Sequence, residues 1–369
     1  LCNSISHYKS SSSSLSLRFL RAKTNMAWLE IVDIVQETYE IILMWRKIFT
    51  QIALSLILPL TFIFLAHIEI SNLLFGNFFH YLWLLHKNDH DQDLRKFDEF
   101  SDLITPKWTF FWLFNISYIV FLFVFSLLST SAVVYTVACI HTVRKISYSI
   151  SKRRSRDLFQ ASVSVVPKVW KRLVVTFFCV FASFFAYNLL AIFAFILLLF
   201  ILLIQYGPYG NVNGSIFVVF FAIYFIGLLY LSVTVQLSSV VSVLEESCGF
   251  KAMAKSKALL KGKMLVATIM LLLINASLVI IQQAFLKLVV HGVWFGMVGR
   301  GILGIVCLFL LLSFFLWQLV LETVLYFVCK EHHQENIDKS ALSNHLQVYL
   351  LNGYVPLTGK NVELENLEV

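Results

Sequence analysis

Five ionisable residues stand inside or beside long apolar stretches, and they are the first places to look for chemistry. His67, Glu69, Lys287 and His291 lie near the ends of two such stretches, whereas Glu322 lies inside another. Amide side chains that could line a polar path with Glu322 are Gln318, Gln236 and Asn275. An ionisable group in such a setting indicates a packing hydrogen bond or a transport path. Because a proton or ion relay needs several acids along one path, packing is favoured and transport stays the alternative.

The sequence lacks the residue patterns of the commoner enzyme classes. It contains no visible Ser/His/Asp or Cys/His arrangement, phosphate-binding loop or HExxH motif. His86 and His90 have the spacing that places two imidazoles on one helical face, and Asp89, Asp91 and Asp93 stand beside them. So short and charged a segment favours a solvated loop over a metal site. We predict a protein that is not an enzyme and needs no cofactor; a lipid-modifying enzyme would require convergent His or acidic side chains.

A charged island interrupts the most apolar part of the chain. Residues 173–244 contain no Asp, Glu, Lys or Arg, and Glu245 and Glu246 end this stretch. Five lysines follow: Lys251, Lys255, Lys257, Lys261 and Lys263. Gly249 and Gly262 can cap a short helix between them, and the lysines would not share one face of that helix. Three interpretations remain open: a solvated connector, a docking site for lipid headgroups or a protein, and, least favoured, a catalytic site.

The composition indicates which elements must carry these residues. Hydrophobic residues make up 59 % of the chain, charged residues 14 %, and the mean hydropathy is +0.80, whereas a soluble domain has about 25 % charged residues. Apolar runs longer than about 18 residues are typical of membrane spans. We predict an all-α integral membrane protein with a bundle of about six transmembrane helices and short cytosolic helical loops. The predicted spans are residues 48–75, 106–143, 173–204, 216–244, 264–286 and 302–329, with Thr105 and Pro106 starting the second.

Basic residues in alternate loops predict the orientation of this bundle. Residues 143–172 contain nine Lys and Arg against Asp157 alone, and the charged island adds five lysines. The intervening loops are acidic or uncharged or, in the stretch 291–301, carry only Arg300. We therefore predict both termini in the cytosol, in an endomembrane or the plasma membrane. The predicted contacts for anionic headgroups or a partner are Lys152, Arg153, Arg154, Arg156, Lys251, Lys255, Lys257 and Lys261.

The two ends of the chain differ from this bundle of residues 48–329. Residues 1–25 have the Ser-rich, basic composition of a transit peptide or of a translated region upstream of Met26. Residues 26–47 predict an amphipathic cytosolic helix with an acidic stripe of Glu30, Asp33, Glu37 and Glu40. This stripe either docks on the basic loop at Lys152, Arg153, Arg154 and Arg156 or binds a basic protein partner. Residues 330–369 form a predicted cytosolic tail, the second place for a protein partner; no nucleic-acid partner is predicted.

Three cysteines fall near the predicted cytosolic boundary of the membrane: Cys139, Cys248 and Cys329. The six cysteines of the chain show no paired spacing, which argues against a disulfide framework. Their location suits S-palmitoylation, and reduced packing thiols are the alternative.

Several polar motifs occur in an order that resembles a plant family of uncharacterised multi-pass transmembrane proteins. They are "PKWTFFWLFNISYIVFLFVFSLLSTSAVVYTVACI", "SVVPKVWKRLVVTFF", "VVSVLEESCGFKAMAKSKALLKGKM", "KLVVHG" and "DKSALSNHLQVYLLNGYVPL". The resemblance covers residues 26–357, and some members of that family carry a poly(A)-binding-protein-binding label. It implies a multi-pass membrane protein.

The charged island also resembles, more remotely, the membrane domain of bacterial glycerophosphodiester phosphodiesterases. The matching positions are Glu245, Gly249, Ala252, Ser256, Leu259 and Gly262. The hydrolase domain of those enzymes has no counterpart here, so the resemblance implies no hydrolase activity. We predict a non-enzymatic protein that organises membrane or recruits partners through its cytosolic face. The alternative is a transporter or channel with a polar path near Glu322.

Overall fold

In the computed structural model, residues 26–87, 94–146, 155–207, 214–292 and 296–333 are described, and within these ranges the fold is helical, without a β-strand. The first helix, α1, covers residues 26–44. The others are α2 (Arg46–Ile52), α3 (Leu58–Lys87), α4 (Leu94–Ile146), α5 (Ser155–Tyr206), α6 (Gly214–Leu244), α7 (Phe250–Leu259), α8 (Met264–Phe285) and α9 (Met297–His332). Two π-helical turns, Ala53–Ile57 and Leu286–Val290, join α2 to α3 and extend α8. The predicted Ser-rich region 1–25, the histidine and aspartate segment at 88–93 and the tail beyond His333 lie outside the described residues.

Six helical stretches are long and apolar enough to cross a membrane. They are Arg46–Leu73, Phe111–His141, Val169–Gln205, Gly214–Leu244, Met264–Val290 and Met297–His332. Each has 27 to 37 residues, which at 1.5 Å per residue gives about 40–55 Å. The all-α class and the six long apolar helices predicted from the sequence are therefore confirmed. All six exceed the roughly 30 Å thickness of a hydrocarbon core.

Two helices begin earlier than the sequence patterns indicated. Pro106 was expected in the first turn of a helix, but α4 begins at Leu94 and contains Pro106 in its interior. An interior proline costs a helix about 3 kcal/mol, and the helix nevertheless continues through this position. Likewise, α5 begins at Ser155, ahead of Pro167.

The π-helical turn Ala53–Ile57 has an identifiable cause in Pro59. A proline has no N–H to donate, and its ring presses against the carbonyl four residues earlier, here that of Ser55. Widening the helix by one residue per turn relieves this contact, and such π-bulges account for many kinks. The proline is therefore accommodated by the π-helical turn that precedes it.

The buried core lies mostly at one end of the bundle, which we call the basal end. It is defined by the starts of the first, third and fifth apolar stretches and the ends of the second, fourth and sixth. Fully buried side chains there come from four helices: Ile48, Phe49 and Ile52 of α2, Val133, Val134 and Val137 of α4, Val240 and Val241 of α6, and Val320 and Leu321 of α9. Farther from this end, α5 and α6 expose large apolar side chains such as Phe181, Phe200 and Ile223. Tight packing therefore holds the basal end, and an extensive apolar surface covers the remainder.

The first helix packs on the same core. Its buried residues are Ala27, Ile31, Ile34, Thr38 and Ile41, followed by Trp45. They recur every three or four positions, so they form one stripe along α1. Val35 and Ile42, at the edges of this stripe, are only partly buried.

Candidate functional site at the charged island

The carboxylate of Glu245 is the centre of the charged island. Its Oε1 accepts a hydrogen bond from the hydroxyl of Tyr326 at 2.6 Å and another from the ammonium of Lys330 at 3.1 Å. Its Oε2 pairs with the ammonium of Lys255 at 2.5 Å. Glu245 directly follows α6, Lys255 lies on α7, and the other two partners lie on α9. One carboxylate therefore joins three helices at the basal end.

Glycine 249 lets α7 begin immediately after this carboxylate. Its φ of 61° belongs to the left-handed region that favours glycine. A Cβ at this position would also lie 3.0 Å from the Sγ of Cys179. The N–H of Gly249 donates to the Oγ1 of Thr176 at 2.9 Å, and Nη1 of Arg172 donates to the carbonyl of Glu245 at 3.4 Å. The island is thus held against α5 as well.

The far end of α7 is attached to α9. Nε2 of His333 lies 3.0 Å from the carbonyl oxygens of both Leu259 and Lys261, so its N–H can donate to these last carbonyls of the helix. Gly262 has a φ of 99° and continues the chain into α8. Within α7, the hydroxyl of Ser256 donates to the carbonyl of Thr234 at 2.7 Å. With both ends and its middle attached, the island is a packed element and not a freely solvated connector.

The surroundings of Glu245 keep its carboxylate ionised. Burial alone would raise the pKa of Glu245, since its side chain is only 12 % exposed. Hydrogen bonds from Lys255 and Tyr326 and the charge of Lys330 outweigh this effect and hold the pKa below its usual range. The site is therefore a charged, hydrogen-bonded joint at neutral pH.

The lysines of the island divide into two groups. Lys255 pairs with Glu245, and the ammonium of Lys263 lies 2.7 Å from Oε1 of Glu30 on α1. Lys251, Lys257 and Lys261 are exposed, and the ammonium of Lys257 stands 5.6 Å from the centroid of the Tyr230 ring. Of the predicted headgroup contacts on the island, three are therefore on the surface and Lys255 is engaged internally.

The predicted contact between the acidic stripe and the first basic loop stays a prediction. Lys152, Arg153, Arg154 and Arg156 lie outside the residues whose side chains the structure describes. The ion pair between Glu30 and Lys263 places one member of the stripe against the charged island instead. Asp33 and Glu40 are exposed, and Gln36 donates to Glu40 at 3.3 Å.

A second polar centre lies at Glu322 in the packed interior. Its Oε1 accepts hydrogen bonds from the amides of Gln236 at 2.5 Å and Gln318 at 2.8 Å. Three of the four candidate residues predicted from the sequence therefore meet. The fourth, Asn275, donates to the carbonyl of Leu271 in its own helix at 2.8 Å.

The two acidic centres lie on one seam between α6 and α9, which the sequence analysis missed. Gln318, Glu322, Tyr326 and Lys330 follow one another at intervals of four residues on α9, so they share one face. Gln236, eight residues before the end of α6 at Leu244, and Glu245, just beyond that end, meet this face. We call this set of six residues the polar seam. The four-residue spacing of polar residues could have predicted this shared face. Tyr326 and Lys330 were not singled out because they stand near the end of the sixth apolar stretch, where such residues are common.

The candidate acylation cysteines have different environments. Cys139 and Cys329 are 1 % and 0 % exposed, so their thiols have no room for an acyl chain in this packing. Cys248 is partly exposed and precedes Gly249. Of the three, Cys248 is the one whose surroundings suit modification.

No group of three or more His, Cys, Asp or Glu residues that could hold a metal ion occurs in the part of the chain that the structure describes. A family model described as a domain of unknown function, DUF8558, matches residues 20–367 of the sequence. No curated protein and no solved structure matches the chain.

Proposed function

The chain belongs to the DUF8558 family, and we propose that it is a six-span membrane protein whose cytosolic face is a rigid, basic platform for anionic lipid headgroups. Its role is to organise membrane rather than to catalyse a reaction. The observation that carries this proposal is the division of the island lysines. The carboxylate of Glu245 and its partners hold α7 in place, while Lys251, Lys257 and Lys261 remain on the surface.

Membrane insertion is supported by the distribution of apolar surface. The outward faces of α5 and α6 expose many Phe, Leu and Ile side chains. Such continuous apolar surface is unfavourable in water and favourable in hydrocarbon. The six long helices leave their polar backbone groups satisfied within each segment, as a membrane interior requires.

The cytosolic assignment of the basal end is supported by its charge. The charged island and both flanks of the basic loop 143–172 connect helices at this end. Short loops rich in Lys and Arg stay in the cytosol. The anionic lipids of the cytosolic leaflet attract lysines near the surface by about 1 kcal/mol each, so three exposed lysines, two on α7 and one just after it, form an effective contact.

The first helix fits the boundary between this platform and the membrane as an amphipathic element. One of its faces packs on the bundle, and its acids occupy another. Trp28, Val32, Tyr39 and Leu43 are exposed on a third face. Trp and Tyr favour the membrane–water interface, so this third face would enter the interface while the acids face water.

Transport, the alternative, has less support. Glu322 accepts two amide hydrogen bonds among tightly packed neighbours, and Asn275 is bonded within its own helix. Among the described residues, these polar groups do not continue into a path between the two ends of the bundle.

Binding of soluble short-chain phosphatidylserine to the purified full-length protein in detergent tests the platform. Replacing Lys251, Lys257 and Lys261 together by Gln should weaken binding about 10- to 100-fold, because each lysine contributes up to about 1 kcal/mol. Lys287→Gln, an exposed lysine at the opposite end, is the control and should leave the affinity unchanged. Equal affinity of wild type and the triple variant, or equal binding of short-chain phosphatidylcholine, would contradict the proposal.

A further inference from the structure

A groove of about 730 Å³ lies between α3, α8 and α9 at the end of the bundle opposite the charged island. Its lining is mostly apolar and includes Leu65, Phe285 and Leu308. Glu69 and Arg300 are the charged residues among its described lining. Their side chains are about one-third and two-fifths exposed, so the groove combines an apolar trough with one accessible, charged end.

Two glycines on α9 form part of the groove wall. A Cβ added at Gly301 would meet no atom within 4 Å, and one added at Gly304 would meet only Cγ1 of Val289, at 3.8 Å. The absence of side chains at these neighbouring positions, one turn apart, therefore leaves real space beside the helix. Larger residues would fill this space without disturbing the fold, because nothing at Gly301 stands in their way.

The guanidinium of Arg300 is held firmly at the charged end. Its Nε donates to the carbonyl of Val289 at 2.6 Å, and its Nη2 donates to that of Val290 at 3.2 Å. These carbonyls end the π-helical turn Leu286–Val290, where intrahelical donors run out. The closest contacts of Arg300 are therefore with backbone carbonyls.

Glu69, which faces Arg300, is only partly paired. Nη2 of Arg300 and Oε1 of Glu69 are 3.9 Å apart, at the outer limit of an ion pair. The other carboxylate oxygen, Oε2 of Glu69, is buried and has no hydrogen-bond partner among the described residues. A buried acceptor without a donor is costly. A ligand that offered Glu69 an ammonium and Arg300 a phosphate would satisfy both groups.

The direction of the groove matches an amphipathic ligand. Glu69 lies four residues before the end of the first apolar stretch, and Arg300 lies three residues into the sixth. The wall continues to Leu308, eight residues farther along α9, or about 12 Å. The charged end therefore faces the bundle end, and the apolar trough points toward the middle of the helices, as the headgroup and chain of a lipid do.

We propose that this groove binds a glycerophospholipid with a primary-ammonium headgroup, of the phosphatidylethanolamine class. The phosphate contacts Arg300, the ammonium pairs with the partly exposed carboxylate of Glu69, and one acyl chain lies along Gly301 and Gly304. The inference rests on membrane insertion but not on the cytosolic platform, which is at the other end of the bundle.

Native mass spectrometry of the full-length protein with lipids of identical acyl chains tests this site. Phosphatidylethanolamine should be retained about tenfold more strongly than phosphatidylcholine, which has no N–H donor, or phosphatidylglycerol, which has no ammonium. Glu69→Gln should remove this preference. Gly301→Phe should reduce retention of phosphatidylethanolamine by about tenfold or more, whereas Gly214→Phe, at a glycine that also has no atom within 4 Å but lies outside the groove, should not.

A photoreactive phosphatidylethanolamine with a diazirine in its acyl chain provides a test on the unaltered protein. Its adducts should map to the groove-lining parts of α3, α8 and α9, even if Gly301→Phe fails to fold. Equal retention of the three lipids, equal behaviour of the two glycine variants, or adducts spread evenly over the bundle would overturn the proposal. Loss of a protein dimer in Gly301→Phe without loss of lipid would assign the groove to a second copy of the chain and would also overturn it.

Discussion

The ammonium of Lys255 and the Oε2 of Glu245 lie 2.5 Å apart, ten residues apart in sequence, and their ion pair fixes α7 to the end of α6. The same carboxylate also holds Tyr326 and Lys330 of α9. The island therefore depends on one acid shared by several donors, and these donors differ in burial.

Replacing Glu245 by Gln should destabilise the bundle more than replacing Lys255 by Gln. Glu245→Gln leaves the buried ammonium of Lys330 without a counter-charge, at a cost of about 2–3 kcal/mol. Lys255 is 39 % exposed, so its loss should cost only about 0–1 kcal/mol. Thermal unfolding of both variants in the same detergent measures the difference. Equal shifts in Tm would show that the carboxylate is not the common support.

The contribution of Glu245 should depend on pH in the acidic range. Its pKa is lowered in the folded protein, so its stabilising effect is complete above the usual carboxyl pKa of about 4.3 and is lost as the pH falls through the lower folded value. The difference in Tm between the wild type and Glu245→Gln should be constant from about pH 5 to 8 and should shrink below about pH 4. A difference that shrinks on raising the pH would have the wrong sign.

Gly249→Ala should destabilise the protein for two separable reasons. Alanine would have to adopt the left-handed backbone conformation of Gly249, at a cost of about 1–2 kcal/mol. Its Cβ would also lie 3.0 Å from the Sγ of Cys179. Gly207→Ala is the matched control, because its φ is 70° but no atom lies within 4 Å of a Cβ there. Gly249→Ala should therefore lower Tm more than Gly207→Ala. Adding Cys179→Ala should recover only the contact portion; full recovery would mean that backbone conformation is irrelevant.

The proposed orientation predicts opposite labelling at two exposed positions. Cysteines placed at Lys251, on the island, and at Met297, which is 93 % exposed at the opposite end, should react differently with an impermeant maleimide. In sealed microsomes that contain a variant with Cys2, Cys179 and Cys248 replaced by Ser, Lys251→Cys should label from the cytosolic side. Met297→Cys should label only after permeabilisation. The reverse pattern would show that the bundle has the opposite orientation. Labelling of both cysteines without permeabilisation would contradict the six-span topology.

Local signals predicted the helices and turns of this protein well. Long apolar runs marked the six helices, and Gly249 and Gly262 marked the ends of α7, since only local backbone chemistry is needed for these features. The start of α4 was wrong because Pro106 was assigned to a first helical turn, which prolines favour, and α5 begins at Ser155, ahead of the predicted third span at residues 173–204. Local sequence patterns can favour different helix starts at such positions. The packing that decides between them involves residues that are distant in sequence.

The partners of the charged groups were harder to predict. Glu245 and Tyr326 are 81 residues apart in sequence, and nothing in either neighbourhood indicates the other. The meeting of Glu322 with Gln318 and Gln236 could be anticipated because polar groups in an apolar environment seek one another. Glu30 was expected near basic residues of the first loop, yet the structure pairs it with Lys263; several basic segments share that end, and charge alone cannot choose among them.

The four-residue spacing of the polar seam restricts how α9 can slide along α6. If α9 moved one helical turn, about 5.4 Å, toward the basal end, Glu322 would take the place of Tyr326 beside Glu245. Two carboxylates would then lie together in a largely buried site. The opposite shift would carry Tyr326 to the place of Glu322, beside the amide of Gln236, and Lys330 to the place of Tyr326, so Glu245 would keep one donor from α9 instead of two. Each one-turn displacement therefore meets like-charge repulsion or lost donors. The two helices have a single favourable axial register, and any motion between them must be a tilt or a separation and not a translation.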